Sequence, residues 1–469
     1  MPSVKKPTTI RQLRASGYQV VPVRDEMRRN LVKKLRKGEQ LFPGIVGFED
    51  TVIPAIQNAI LAGQDMVLLG ERGQAKSRII RSLVTLLDDE VPAISGCEIN
   101  DNPFSPICKA CRDKVEEQGD AVEITWLPRD IRYAEKLATP DISIADLIGE
   151  VDPIRVAEGR YLSDELTIHY GLVPRTNRGI FSINELPDLA ERIQVGLFNL
   201  MEERDIQIKG YRIRLPLDIY VVASANPEDY TNRGRIITPL KDRYGAHIRT
   251  HYPRTIEEEV SIVDQERADF GDVQDMIVVP QYMKEIIAEI TSLARRSADV
   301  NQRSGVSVRV SIANYESIVA NALRRSIVLG EKRGAPRISD LPAVVASSTG
   351  KIEMESVEEG REGKIIEELT KKAVMNVFGR YFNVREFEDV LAKFEGGTVV
   401  EVGSDTPSKV YLPMAKDLGI LGGDGALARL KVGDSPEEVA AGVEFVLEGL
   451  HLNRRLNRDK VEGHYRYRS

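Results

Sequence analysis

The eight residues GERGQAKS, Gly70 to Ser77, carry the strongest chemical signal in the chain. Gly70 and Gly73 free a turn to aim backbone N–H groups at an anion, Lys76 brings a point charge, and the Ser77 hydroxyl can join the shell of a Mg2+ ion. This is the pattern of a loop that cradles the phosphates of ATP, with Ala75 standing where the pattern has another glycine. We expect Ala75 to lie where the next helix is already starting, so that a helical φ suits it and the methyl group is tolerated. With Arg78, the candidate nucleotide-binding set is Gly70, Glu71, Arg72, Gly73, Gln74, Ala75, Lys76, Ser77 and Arg78. The plain alternative is a glycine turn followed by a chance Lys-Ser. The buried-looking MVLL before the loop and the helical RIIRSLVTLL after it argue against that.

A second stretch, GIFSINELPDL (179–189), ends its apolar run in Asn184-Glu185, where a nucleotide-hydrolysing strand normally ends in Asp-Glu. A carboxylate such as Glu185 can polarise an attacking water. Asn184 offers an amide oxygen to a metal-bound water but no negative charge, so a Mg2+ site built on it should be weaker. A third group lies in GCEINDNPFSPICKACRDKV. Cys108 and Cys111 have the two-residue gap that lets two thiolates reach one tetrahedral ion, and Cys97 adds a third. Zn2+ would need a fourth ligand, for which Glu98, Asp101 or a water could serve. Otherwise the three are reduced thiols or a redox-sensitive pair.

The elements that must position these groups follow from composition and periodicity. At 469 residues the chain calls for two to four domains. Its 42% hydrophobic and 29% charged content describes a globular chain, and no apolar run approaches the roughly 18 residues that span a bilayer. The N-terminus lacks a signal peptide's apolar centre, and three cysteines argue against a secreted disulfide scaffold, so a cytoplasmic protein without membrane insertion is expected. A net charge of -7 argues against nucleic acid as a general partner.

Met27, Leu31 and Leu35 mark a basic amphipathic helix within 24–40, expected to dock on a neighbour with its charges in water. Val52, Ile53, Ile56 and Ile60 mark a second, capped near Asp50 or Thr51. AVEITWLP (121–128), GIFSI, LDIYVVASANP and HIRTHYP read as strands, and RDIQIKGYRIRLPLD as a hairpin around Gly210. Strands spaced by helical segments imply a mostly parallel sheet covered by helices. From about residue 255 the pattern is helical, including a helix begun by Ser435-Pro436. Residues 395–425 carry little signal, and the charged tail from Asn453 is expected to fray.

The order of Gly70–Ser77, Asn184-Glu185, SANP (224–227) and PLKDRYG (239–245) resembles an AAA+ ATPase. More narrowly, FPGIVGFEDTV, DLIGEVDP and TNRGIFSINELPDL resemble the ATPase (I-type) subunit of magnesium chelatase and its MoxR-like relatives, over roughly residues 41–325. The resemblance implies an α/β P-loop AAA+ domain with a parallel sheet between helices, a helix-2 insertion and a pre-sensor hairpin, followed by an all-helical lid and a mainly helical C-terminal region. The implied boundaries are an N-terminal helical segment at 1–40, the AAA+ domain at 41–254 with the cysteine loop at 97–111 and the insertion at 144–179, the lid at 255–350 and the C-terminal region at 351–469.

The resemblance also implies roles. Glu185 positions the water, Asn226 is the sensor, Arg243 is a finger reaching a neighbouring subunit's site, and Arg309 is the lid arginine, with Arg303 the weaker choice. Arg178 could add charge at the interface. ATP and Mg2+ are the implied cofactors, with Ser77 and, through a water, Asn184 on the metal. A ring oligomer, a hexamer by analogy, would remodel a separate partner bearing a von Willebrand A domain, in metal insertion or cofactor maturation. Two alternatives stand beside this: a motor like the replicative MCM helicases, with Lys209 and Arg212 at the hairpin tip, and an ATP-binding scaffold that Asn184 has left with little hydrolysis.

Overall fold

The computed structural model describes residues 6–469 apart from 153, 155–156, 158–163, 208–213, 227–233, 356–360, 423–424 and 462–463. The chain divides into two compact units, Met1–His251 and Tyr252–Ser469. The segments expected as a lid and a C-terminal region both lie in the second.

The first unit is organised by a five-stranded parallel sheet. Its strands run Ala246–Arg249, Met66–Leu69, Ile219–Ala225, Gly179–Asn184 and Tyr133–Leu137 in spatial order. The two central strands, IYVVASA and GIFSIN, are buried along their whole length. Near-continuous apolar runs of this kind suit a parallel sheet covered on both faces. Because side chains alternate across a strand, each strand feeds two cores. Met66, Leu68, Ile180, Tyr220 and Val222 meet Met27, Leu31, Ile56, Ile60, Ile79 and Ile80 on one face. Val67, Phe181, Ile183, Val221 and Ala223 meet Leu147, Val173, Ile193 and Leu240 on the other.

The basic helix forms as Val23–Arg36 and docks by Met27 and Leu31, but Leu35 is 41% exposed, so its apolar stripe stops one turn early. Its cations are not merely solvated. Arg24 and Arg28 donate to the carbonyls of Gly63 and Leu61, at the end of helix Val52–Ala62, where unpaired C=O groups attract positive charge.

One strand of the sheet departs from expectation. AVEITWLP does form a strand, Ile124–Pro128, but it pairs antiparallel with Glu90–Ile94 in a two-stranded sheet of its own. The fifth position is taken by Tyr133–Leu137, whose sequence YAEKL is too polar to announce a sheet strand. It can be polar because it sits at the edge, and none of its residues is fully buried. An ion pair fixes it: Arg132 and Glu26 are both buried and bonded twice, at 2.8 and 2.6 Å, while Arg132 Nε donates to Arg178 O at 2.8 Å. The helix at the N-terminus, the edge strand and the start of Gly179–Asn184 are thereby tied at one point. Gly179 allows this close approach, since a Cβ there would lie 1.9 Å from Arg132 O.

Within 144–179 the chain makes helix Ile144–Leu147, antiparallel strands Gly149–Val151 and Ile168–Tyr170, and helix Leu172–Arg175. The hairpin pairs Asp205–Gln207 with Arg214–Pro216; its tip, with Lys209, Gly210 and Arg212, lies outside the described residues.

In the second unit, helices Gln281–Ala294, Arg309–Val328, Arg361–Tyr381 and Pro436–Leu452 share one core running from Val263 to Tyr467. The tail does not fray. Asn457–Val461 and His464–Arg468 form a hairpin that also pairs with Val400–Val402, inside the stretch that carried little signal. Buried Tyr467 anchors it, its hydroxyl donating to Glu448 at 2.6 Å beside Arg458 at 2.7 Å. Among the described residues no helix is long and apolar enough to cross a membrane.

Candidate functional site

Gly70–Ser77 links strand Met66–Leu69 to helix Lys76–Ser82, which opens the helix N-terminus at the carboxyl end of the sheet. The loop is held from behind: Thr250 Oγ1 donates to Gln74 Oε1 at 2.6 Å. Gly70 has no room for a side chain, because a Cβ would lie 1.9 Å from Thr250 Oγ1 and 2.2 Å from Gln74 Oε1. Ala75 corrects the sequence reading. It precedes the helix rather than joining it, with φ 55° and ψ 12° in the left-handed region, while Gly73 has φ 76°. The loop turns its N–H groups inward there, which is why glycine suits the position; a Cβ costs roughly 1–2 kcal/mol in that conformation.

Three of the expected residues meet. Lys76 Nζ is buried and donates to Gly70 O at 2.5 Å, Glu71 O at 2.7 Å and Asn226 Oδ1 at 2.7 Å. The other end of the same amide, Asn226 Nδ2, donates to Glu185 Oε2 at 2.6 Å. The amide is oriented by its partners: oxygen to the ammonium, nitrogen to the carboxylate. The strand order makes this possible, because Ile219–Ala225, which delivers Asn226, lies between the strands that deliver Lys76 and Glu185. Glu185 itself is left-handed, φ 54°, so the chain turns sharply at the strand end and leaves its carboxylate half-buried at the sheet's rim. Ser77 follows Lys76 in the same helical turn.

Asn184 is buried and has a partner that sequence reasoning missed. Its Nδ2 donates to Glu135 on the edge strand, and its Oδ1 accepts from Ser224 Oγ at 3.3 Å. Glu135 also binds Arg81 at 2.7 and 2.9 Å and the Tyr133 hydroxyl at 3.0 Å. The Arg81 guanidinium holds the Glu135 carboxyl below the usual range. A carboxylate therefore stands beside the position where the acid of the pattern is absent. Only recognising YAEKL as an edge strand would have found it.

No family model matches the chain. Among curated proteins, the magnesium-chelatase subunit ChlI of Nostoc sp. is 24% identical over 388 residues, covering 77% of this chain and 95% of its own. The magnesium-chelatase 38 kDa subunit of Rhodobacter capsulatus is 28% identical over 228 residues, covering 47% of this chain and 59% of its own. A solved chain from the complex of magnesium-chelatase subunits BchI and BchD is 19% identical over 70% of this chain and 98% of its own, with a TM-score of 0.35, too low to carry an argument. Over most of its length the chain is thus similar to the ChlI subunits of magnesium chelatase.

Within the first unit, Arg243 and Arg178 bond elsewhere than to the Lys76–Asn226–Glu185 group. Arg243 ends helix Thr238–Arg243, paired with Glu202 (Nε at 3.0 Å), bonded to Pro239 O at 2.8 Å and stacked 4.5 Å over Phe198. Arg178, read as an interface charge, is buried instead, donating to Pro92 O at 2.7 Å; its guanidinium braces the first unit from within. Arg309 starts helix Arg309–Val328 in the second unit and is exposed there, as is Arg303. A cavity of about 470 Å3 also belongs to that unit, but its Arg295 and Arg380 are paired with Glu259 and Glu289, which leaves it poorly suited to phosphate. Cys97, Cys108 and Cys111 are free thiols gathered around Asp101.

Proposed function

We propose that the chain binds Mg2+–ATP on Gly70–Ser77 and hydrolyses it as the motor of a ring oligomer, a hexamer, that remodels a partner protein. The observation that carries this reading is the bonded run Lys76–Asn226–Glu185. An ammonium for the terminal phosphate and a carboxylate for the attacking water are held at the two ends of one amide, which can report the presence of the phosphate to the base. Positioned acid–base groups of this kind contribute roughly 10²–10⁴-fold to a rate. Ser77 and Asn184 would hold the Mg2+ shell, Asn184 through a water. Glu135 would supply the negative charge that Asn184 lacks, from one strand away.

Arg243 is bonded to Glu202 and Pro239 of its own chain and not to Glu185 or Asn226, and we assign it to a neighbouring copy's site. An arginine donated in this way is worth about 10³–10⁵ in turnover. Arg309 would act from the second unit as the lid arginine. The curated relatives are named as subunits of magnesium chelatase, which supports work beside a separate partner. We assign that partner a von Willebrand A domain and a task in metal insertion or cofactor maturation.

Mixing two inactive variants tests the shared site. Lys76→Ala keeps the finger and cannot turn over its own, weakly held nucleotide; Arg243→Ala keeps the nucleotide and loses the finger. Each alone should be nearly inactive, and the mixture should regain phosphate release. Full turnover by Arg243→Ala, or a dead mixture that still assembles, would overturn the shared site. Salt-sensitive stimulation of phosphate release by DNA would instead support the helicase-like alternative.

A further inference from the structure

The four groups Cys97 Sγ, Cys108 Sγ, Cys111 Sγ and a carboxylate oxygen of Asp101 lie within 4.8 Å of one another. A tetrahedral Zn2+, with Zn–S near 2.3 Å and Zn–O about 2.0–2.2 Å, needs ligand separations of roughly 3.5–3.8 Å. The four atoms are therefore near enough to converge on one ion with small side-chain adjustments.

Three further observations point the same way. First, the sulfurs are met by backbone donors: Ile99 N and Asp101 N approach Cys97 Sγ at 3.4 and 3.3 Å, and Cys111 N approaches Cys108 Sγ at 3.4 Å. Such donors stabilise thiolate rather than thiol and orient its lone pairs. Second, Asp101 has no exposed surface and no ion pair among the described residues. Its two oxygens accept from Ile107 N at 3.1 Å and Cys108 N at 3.0 Å, which fixes the carboxylate without neutralising it. A buried unpaired carboxylate costs several kcal/mol, and a divalent cation among these groups offsets part of that penalty. Third, the backbone is shaped for the purpose, with Asn100 left-handed (φ 56°) to turn Asp101 back toward Cys97.

We propose that Cys97, Asp101, Cys108 and Cys111 form a closed, structural Zn2+ site. Three thiolates select a soft ion over Mg2+ or Ca2+. Four protein ligands leave no open position, so the ion is structural and does no chemistry. Its place in the fold tells what it braces. Asn100 Nδ2 donates to Arg175 O at 2.9 Å, Asn177 Nδ2 to Ile99 O at 3.1 Å, and Arg178 to Asn100 O at 3.5 Å. The metal loop thus grips residues 175–178, the run that feeds strand Gly179–Asn184 and sets the position of Glu185 at its far end.

The test is metal analysis of the full chain purified without chelator, followed by Co2+ exchange. The result expected is roughly one zinc per chain, as in other structural sites, with thiols that react with a disulfide reagent only after chelation. The cobalt form should show the visible bands of tetrahedral, thiolate-bound Co2+. Cys108→Ser should lose the metal, and Asp101→Asn should hold it more weakly. If Cys108→Ser does not fold, the cobalt spectrum of the unaltered chain decides. A folded, metal-free chain with all three thiols reactive, or an octahedral cobalt spectrum, would overturn the site. Unchanged zinc affinity in Asp101→Asn would remove the fourth ligand and with it the closed site.

Discussion

The nucleotide cluster and the cysteine cluster of the first unit are assembled in opposite ways. Lys76 and Asn226 stand 150 residues apart in sequence and meet only because the sheet places their strands side by side. The cysteine cluster takes all its members from residues 97–111, so a short loop folded on itself suffices. The first arrangement makes chemistry depend on the whole unit. The second makes a local brace that needs little beyond its own loop and one ion. The two are joined at residues 175–178, where the brace holds the start of the strand that ends at Glu185.

The largest expected effect strikes both clusters at once. Glu26→Ala leaves Arg132 buried without its partner, and breaking such a pair costs about 3–5 kcal/mol. Denaturant unfolding should show that loss, with nucleotide and metal binding both weakened. Lys76→Ala separates the clusters. Losing a charged donor worth about 1.5–3 kcal/mol should weaken ATP binding by roughly 10–100-fold in a fluorescent-nucleotide titration, with zinc content unchanged. Glu135→Gln is a finer cut within the nucleotide cluster. It should raise the Mg2+ needed for half-maximal phosphate release by roughly 10-fold, the lower end for a lost outer-shell carboxylate. Smallest is Ala75→Gly, which relieves the left-handed alanine and should raise thermal stability in the presence of ATP by up to about 1 kcal/mol.

The same contrast governs what the sequence discloses. Each nucleotide-site motif is legible alone, because the turn, the lysine and the strand-end acid sit close together in the chain. That Asn226 bonds Lys76 and Glu185 at once is set by strand order, which periodicity does not specify. Glu135 was missed because YAEKL occupies an edge, where half-exposed polar residues are permitted and no apolar alternation is required. Ala75 was misplaced because a motif gives residue types and not dihedrals; the inward turn of the loop, not helix propensity, decides its φ. The hairpin at the C-terminus was missed because its stability comes from single buried contacts, Tyr467 and Arg458 on Glu448, in an otherwise charged stretch. The cysteine loop was readable for its thiols, but the burial that distinguishes Asp101 from Glu98 exists only in the folded chain.

Steady-state phosphate release from Mg2+–ATP by the assembled chain, compared with Glu185→Gln, tests the central claim most directly. If Glu185 polarises the water, the variant should bind ATP normally and turn over about 10²–10⁴-fold more slowly. Equal rates in the two proteins would contradict the account.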